Sequence, residues 1–163
     1  MSPLRLVYTF PVPDFIPRNP DYERSVRESW TTQSFLRLLG AEITKVAPGA
    51  VETVLPWRAD LCQQHGYFHA GAIATLADVT GGYSAYSMLP AGWSMLSTEF
   101  KINLISPAIG ERLIARGQLL KAGRTLFPVR VDVLAVQDGS EKLVAAMQMT
   151  LMGLEDRPEL GTG

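Results

Sequence analysis

The segment from Ala70 to Tyr86, AGAIATLADVTGGYSAY, restricts the fold more than any other part of the chain. It is long enough for a helix of four to five turns. Small and apolar residues occupy nearly every side, so the pattern predicts a helix buried all round rather than along one stripe. Gly81 and Gly82 weaken its C-terminal half by about 1 kcal/mol each relative to alanine. Close packing of another backbone would account for them. With 163 residues and 47% hydrophobic content the chain fits a single domain with a true core.

The flanks of this segment read as strands. AEITKV and AVETVLPW are separated by Pro48-Gly49, and Ser97 to Leu104 and Arg112 to Leu120 follow the helix. Phe127, Val129, Val131, Val133 and Ala135 alternate with Arg130 and Asp132, a period of two with one wet face. Asp138-Gly139 forms a hairpin turn that returns the chain through Leu143 to Leu151. Lys121-Ala122-Gly123-Arg124 reads as a turn of the same kind. Ahead of the strands, Asn19-Pro20-Asp21 starts an additional N-terminal helix, with Tyr22, Val26, Trp30, Phe35, Leu36 and Leu39 at roughly helical spacing and Gly40 as its stop. This helix packs on the core or serves as a lid over an apolar pocket. Five of the eleven prolines lie in the first twenty residues, which predicts an extended arm over residues 1–18. A single domain over 19–154 and a frayed tail over 155–163 complete the expected organisation. One buried helix with strands on both sides gives an α+β fold, an antiparallel sheet wrapped around a long central helix.

Charge narrows the function classes. A formal net charge of -1, from 15 Lys+Arg and 16 Asp+Glu, lacks the basic surplus of a nucleic-acid binder. It also leaves little repulsion against self-association. Cys62 is the only cysteine, so no intrachain disulfide and no cysteine-rich zinc site can form. No run reaches membrane-spanning length, and Pro11, Pro13 and Pro17 interrupt the N-terminal apolar patches. A cytoplasmic protein with no membrane partner is expected.

From Leu61 to Thr98 a single side chain is formally charged, Asp78, in the middle of the predicted helix. A carboxylate there must be hydrogen-bonded, paired or shifted in pKa. It is either a structural aspartate bonded to Thr75, Thr80 or backbone, or a general base or nucleophile tuned by apolar surroundings. At the helix start, the N–H groups of His69, Ala70 and Gly71 lack intrahelical acceptors and form a ready oxyanion site. The pairing of that site with a lone carboxylate points to attack on an acyl carbonyl. His65 and His69, four apart, invite a metal reading, and Cys62 with either histidine a nucleophilic pair. Gly66 breaks any continuous helix between the two histidines. No metal and no cofactor is expected.

QQHGYFHAGAIATLAD resembles the N-x-x-G-x-x-H-G-G-x-x-x-x-L-x-D signature of PaaI-type hotdog acyl-CoA thioesterases, within the 4-hydroxybenzoyl-CoA thioesterase-like superfamily. STEFKINLISPA and KAGRTLFPVRVDV resemble that family's strand motifs in the same order, so the likeness runs from about Leu61 to Leu151. It implies the hotdog fold, with Asp78 as the catalytic carboxylate and Ala70 as the residue whose N–H polarises the thioester carbonyl. Gly66 and His69 match their counterparts. Ser97 falls where a hydroxyl helps hold the attacking water. Gln63 stands where the family often has asparagine, keeping the amide on a longer arm. Ala70 replaces the first glycine of the pair, keeping the N–H beside an added methyl.

Ala70 and Asp78 are eight positions apart, about 12 Å along a helix. A base and an oxyanion donor acting on one carbonyl must converge to about 3 Å from the reacting groups. Two antiparallel copies across a two-fold axis satisfy this, so the site should be composite and the minimal unit a homodimer, alone or within a dimer of dimers. The expected activity is hydrolysis of an acyl-CoA or related thioester. Ala70, with Gly71, would hold the carbonyl oxygen, Asp78 of the partner would activate water, and Gln63 and Ser97 would position it. His69 would order the turn. Gly66 and Phe68 would contact substrate, Phe68 lining the acyl pocket with Tyr83, Tyr86, Trp93 and the first helix. Lys121 and Arg124 would meet coenzyme A phosphates. The alternatives are a hydratase or dehydratase using a histidine with a carboxylate, and a non-catalytic acyl-CoA binding module.

Overall fold

The protein's structure, a computed structural model, describes residues 14–155. Most of the expected arm over 1–18, and the tail over 155–163 apart from Glu155, lie outside the described residues. Two short helices, α1 (Tyr22–Thr32) and α2 (Ser34–Leu39), precede β1 (Glu42–Ala47) and β2 (Ala50–Pro56). A single 3₁₀ turn (Ala59–Leu61) leads to the long helix α3 (Ala70–Tyr86). The chain then runs through β3 (Ser94–Leu104), β4 (Arg112–Leu119), β5 (Leu126–Gln137) and β6 (Ser140–Leu154). The strands form one antiparallel sheet in the order β1-β2-β4-β5-β6-β3, curled around α3. This is the expected hotdog architecture, and α3 has the predicted bounds.

The period-two pattern of β5 is realised directly. Phe127, Val129, Val131, Val133 and Ala135 are buried against α3, and Arg130 and Asp132 lie on the other face, hydrogen-bonded to each other. Asp138 (φ 50°) and Gly139 (φ 73°) both take left-handed backbone, the requirement of the tight turn between β5 and β6. The connection between β4 and β5 differs from the two-residue turn expected around Lys121. It spans residues 120–125, and Gly123 does not adopt a positive φ.

Helix and sheet meet at two glycines. A Cβ on Gly117 of β4 would lie 2.3 Å from Ser84 Oγ and 2.9 Å from the Thr80 carbonyl oxygen. A Cβ on Gly81 would lie 2.2 Å from Met149 Sδ. Gly82, grouped with Gly81 in the sequence reading, meets only Leu151 Cδ2 at 3.8 Å, so the sheet does not require it. The polar groups of this contact are satisfied internally. Thr53 and Thr80 share a hydrogen bond of 2.5 Å, Thr80 donates to the Leu76 carbonyl, and Ser84 donates to the Thr80 carbonyl at 2.8 Å.

The helix is not buried all round, contrary to the expectation from its composition. Ile73, Leu76, Ala77, Thr80, Gly81 and Ser84 are buried, but Gly71 is exposed and Ala74, Thr75, Asp78 and Gly82 are only half-buried. These follow helical spacing and define one open face. The six strands cover the rest, and β3, at the end of the sheet, borders the opening. On β3, Leu96, Phe100 and Leu104 are 57%, 47% and 53% exposed.

The N-terminal helix expected through Leu39 breaks at Gln33 into α1 and α2. Asn19 folds the entry, accepting from the Asp21 N–H and donating to Ser25, while the helix itself begins at Tyr22. Gly40 (φ 75°) closes α2 in left-handed backbone, with the Ala41 N–H bonded to the Leu36 carbonyl. Val26 is fully buried, and Trp30 packs on Tyr83 at 5.4 Å between ring centres. α1 is therefore a packing element.

On the outer face Arg116 forms a fork with Glu141 (2.6 and 2.8 Å) and donates Nε to Glu52 at 2.8 Å, while Lys45 pairs with Glu52 at 2.9 Å. Burial pushes the Glu52 carboxyl up, but hydrogen bonds from Arg116, Lys45 and Thr44 outweigh it and hold the group below its ordinary value. The Arg116 hydrogen bond likewise holds Glu141 down. Carboxylates depressed in the folded state contribute stability above their unfolded pKa and lose it as pH falls through the folded values.

Two outcomes follow. Gly117→Ala should destabilise the fold by about 1–3 kcal/mol in chemical denaturation, because the added methyl meets helix backbone. Arg116→Met should lower the melting temperature at pH 7, with the difference shrinking as pH drops below the carboxylate range. A difference constant from pH 7 to pH 3 would assign the Arg116 contribution to packing alone.

Candidate active site

The turn before α3 is fixed by backbone pairing. Gln63 donates to the Tyr67 carbonyl at 2.9 Å, Gly66 donates back to the Gln63 carbonyl at 2.9 Å, and Cys62 bridges Phe68. His69 N–H bonds the Leu61 carbonyl at 2.8 Å and Phe68 N–H the Ala108 carbonyl at 3.1 Å. Gly66 takes φ 79°, so glycine serves the turn itself there.

His69 is the cap of α3. Its Nδ1 accepts the Gly71 N–H at 2.9 Å. This bond occupies the Gly71 N–H, which was expected to assist at the carbonyl. The Ala70 N–H has no acceptor among the described residues and stays available at the positive end of the helix.

Asp78 lies two turns further along α3. Its Oδ1 accepts a hydrogen bond from Ser97 Oγ of β3 at 2.7 Å. Neither Thr75 nor Thr80 fills this role, and Thr80 is committed to Thr53 and the Leu76 carbonyl. Ser97 sits at the register shift between β3 and β6, beside the open face of the helix. The second carboxylate oxygen has no partner among the described residues.

Two cavities meet at the start of α3. A groove of about 500 Å³ is lined by Gln63, Tyr67, Phe68, His69, Ala70 and Ile73 on one side and by residues 104–108 on the other. A smaller niche of about 190 Å³ lies between α2 and α3, bounded by Phe35, Leu39, Asp60, Leu61, Ala72 and Thr75 with His69 and Gly71. His69 borders both. The structure thus brings Gln63, Phe68, His69 and Ala70 together and sets Asp78 with Ser97 apart from them. Gly66 borders neither cavity, and Lys121 and Arg124 are exposed on the connection between β4 and β5. Arg18 donates to the Gly123 carbonyl of that connection at 2.8 Å, adding a third cation.

Several expected lining residues are core instead. Tyr83 is buried against Trp30 and Tyr86, with its hydroxyl on Ser29, and Trp93 packs near Gly153. The Cys62 thiol donates to the Arg58 carbonyl at 3.3 Å rather than pairing with a histidine. The described residues hold no cluster of three or more His, Cys, Asp or Glu placed for a metal. Residues 104–108 and Tyr67 were missed as walls of the groove. Ser106-Pro107 directly follows the strand expected from Ser97 to Leu104, but only the fold brings it to the helix start.

The chain resembles proteins of known fold. Residues 65–142 match a family model described as the thioesterase superfamily. A thioesterase family protein from Silicibacter pomeroyi is 40% identical, with a TM-score of 0.81 over 82% of this chain and 98% of that one. A conserved protein from Pseudomonas aeruginosa is 30% identical, with a TM-score of 0.68 over 75% of this chain and 94% of that one. The PaaI protein of the Escherichia coli phenylacetic acid degradation operon shares the fold at 18% identity, with a TM-score of 0.73 over 83% of this chain and 94% of that one.

The His69 cap generates a stability prediction. His69→Ala should cost about 1 kcal/mol in denaturation, and His69→Asn, which keeps a capping acceptor, should recover most of it. Equal losses in both variants would deny the side chain its capping role.

Proposed function

The chain belongs to the thioesterase superfamily, and from that premise we propose that it hydrolyses an acyl-CoA or related acyl thioester at a site shared by two copies of the chain. One observation carries the reading. The Ala70 N–H, which has no acceptor among the described residues, and the Asp78 carboxylate occupy the same helix, eight residues and about 12 Å apart along it, too far to act on one carbonyl. A second copy, placed antiparallel against the open face of α3, would bring its Asp78 to this Ala70. The exposed apolar side chains of β3 and its unpaired strand edge favour such cover.

In this mechanism the thioester oxygen sits on the Ala70 N–H. Asp78 of the second copy takes a proton from water as the water oxygen bonds to the carbonyl carbon, and the C=O electron pair moves onto oxygen. The Ala70 N–H and the helix terminus stabilise that charge. Collapse restores the C=O bond and breaks C–S, and the thiolate leaves with the proton held by Asp78. Direct attack by Asp78, through an anhydride that water then opens, is the variant of this route. Ser97 orients the carboxylate by its 2.7 Å hydrogen bond and leaves the second oxygen for water. Gln63, beside Ala70 in the groove, would hold the water. The exposed Lys121 and Arg124 would meet the phosphates of coenzyme A.

Hydratase chemistry would need a histidine working with a carboxylate. His69 gives its Nδ1 to the helix cap, which favours hydrolysis over that reading.

Asp78→Asn should cut thiol release by 10²-fold or more with melting unchanged, and Gln63→Ala should lower kcat more than it raises KM. Wild-type turnover per folded Asp78→Asn molecule would remove the carboxylate from the mechanism.

A further inference from the structure

Arg18 has no role in the catalytic steps, and it lies outside residues 65–142, the stretch that matches the thioesterase family. Its Nη2 donates to the Gly123 carbonyl at 2.8 Å, and the guanidinium carbon stands 6.0 Å from the centre of the Phe127 ring. In the connection between β4 and β5, Gly123 lies between the exposed Lys121 and Arg124. Three exposed cations therefore gather at one corner of a chain whose net charge is -1. None of the three is ion-paired among the described residues. Arg18 is also presented by anchored backbone. Three residues before it Phe15 packs on the core beside Gly49, and the next residue, Asn19, is buried and bonded to the Asp21 N–H and to Ser25. The Gly123 bond uses one of the five guanidinium N–H groups, so the others can present a fork to an anion.

This corner lies nearer to Asp78 than to the helix start of the same copy. Phe127 and Ser97 pair with Leu151 from opposite sides of β6. Two strand spacings of about 5 Å each place the backbone of Phe127 about 10 Å from that of Ser97, which holds the Asp78 carboxylate. Ala70 is remote by comparison. The turn before it is bonded to Ala108, ahead of β4, whereas residues 120–125 follow β4. The eight residues of β4 span about 25 Å. We propose that Arg18, together with Lys121 and Arg124, holds the phosphates of coenzyme A, and that this grip comes from the copy that supplies Asp78. The proposal rests on a thioesterase site shared by two copies. One copy then gives Ala70 and Gln63 to the carbonyl, and the other gives the carboxylate and the phosphate anchor. A guanidinium offers paired donors that match phosphate oxygens, whereas Lys121 acts as a point charge.

Two substrates separate phosphate binding from a structural role: hexanoyl-CoA, and hexanoyl-pantetheine, which carries no phosphate. Arg18→Gln keeps a donor for the Gly123 carbonyl and loses the charge. It should raise KM for hexanoyl-CoA about ten-fold, the loss of one charge-assisted hydrogen bond, with little change for hexanoyl-pantetheine. Arg18→Lys, which keeps the charge, should lose less. Equal rises for both substrates, or no rise for either, would overturn the phosphate role. Refolded mixtures of Asp78→Ala and Gln63→Ala chains then assign the copy, because their working site takes Gln63 from the first chain and Asp78 from the second. Arg18→Gln added to the Gln63→Ala chain should raise the hexanoyl-CoA KM of the regained activity about ten-fold, and the same change in the Asp78→Ala chain should not. The opposite pattern would overturn the copy assignment. If mixing regains nothing, the shared site and the copy assignment fail together, while the KM comparison still decides the role of Arg18. If neither thioester is hydrolysed, the thioesterase reading fails on its own, and calorimetric Kd values of wild type and Arg18→Gln for coenzyme A and for pantetheine decide the phosphate grip.

Discussion

The close approach of α3 to the sheet governs the rest of the molecule. Gly117 and Gly81 remove the side chains that would hold helix and strands apart, and Thr53, Thr80 and Ser84 satisfy one another inside the contact. A polar group left unpaired there would cost about 1–3 kcal/mol, so this internal pairing is what allows hydroxyls at such depth. With the helix seated this deeply, six strands suffice to enclose most of it. They do not close the ring. One side of α3 remains open, and both chemically distinctive features, the Ala70 N–H and Asp78, lie along that helix.

The opening gives the N–H and the carboxylate separate surroundings. Around Ala70, short backbone hydrogen bonds hold the turn from Gln63 to Phe68, and the His69 side chain closes the first turn of the helix. Around Asp78, a single serine on the terminal strand fixes one carboxylate oxygen. Each half is preorganised by its own chain, and in the proposed shared site each would supply what the other lacks. Rigid halves completed by association suit electrostatic catalysis, because the donors need no reorganisation when charge develops.

Much of this was legible in the residues. The bounds of α3, the alternation of β5 and the Asp138-Gly139 turn depend on local pattern, and the structure reproduces them. The isolation of Asp78 in an uncharged stretch marked it for attention before any fold was known. What the pattern did not reveal depends on distant partners. Composition cannot say that the face bearing Gly71, Ala74 and Asp78 goes uncovered, since small residues suit a sheet and an open face equally. Nor could it distinguish Tyr83, whose hydroxyl finds Ser29 in a helix 54 positions away, from a pocket aromatic. The niche beside α2 likewise depends on a distant partner, Arg58, which reaches back to the Leu38 and Leu39 carbonyls at the end of that helix.

The central claim is that one working site takes Ala70 from one copy and Asp78 from another. Its most direct test mixes two impaired variants, Asp78→Ala and Gln63→Ala, by unfolding and refolding them together at equal concentration. Each mixed dimer would then carry one site with both defects and one with neither. Random pairing makes half the dimers mixed, so about a quarter of wild-type thiol release should return for a two-fold shared site. Activity that stays at the level of the separate variants, with mixed dimers verified by differential tags, would contradict the shared site.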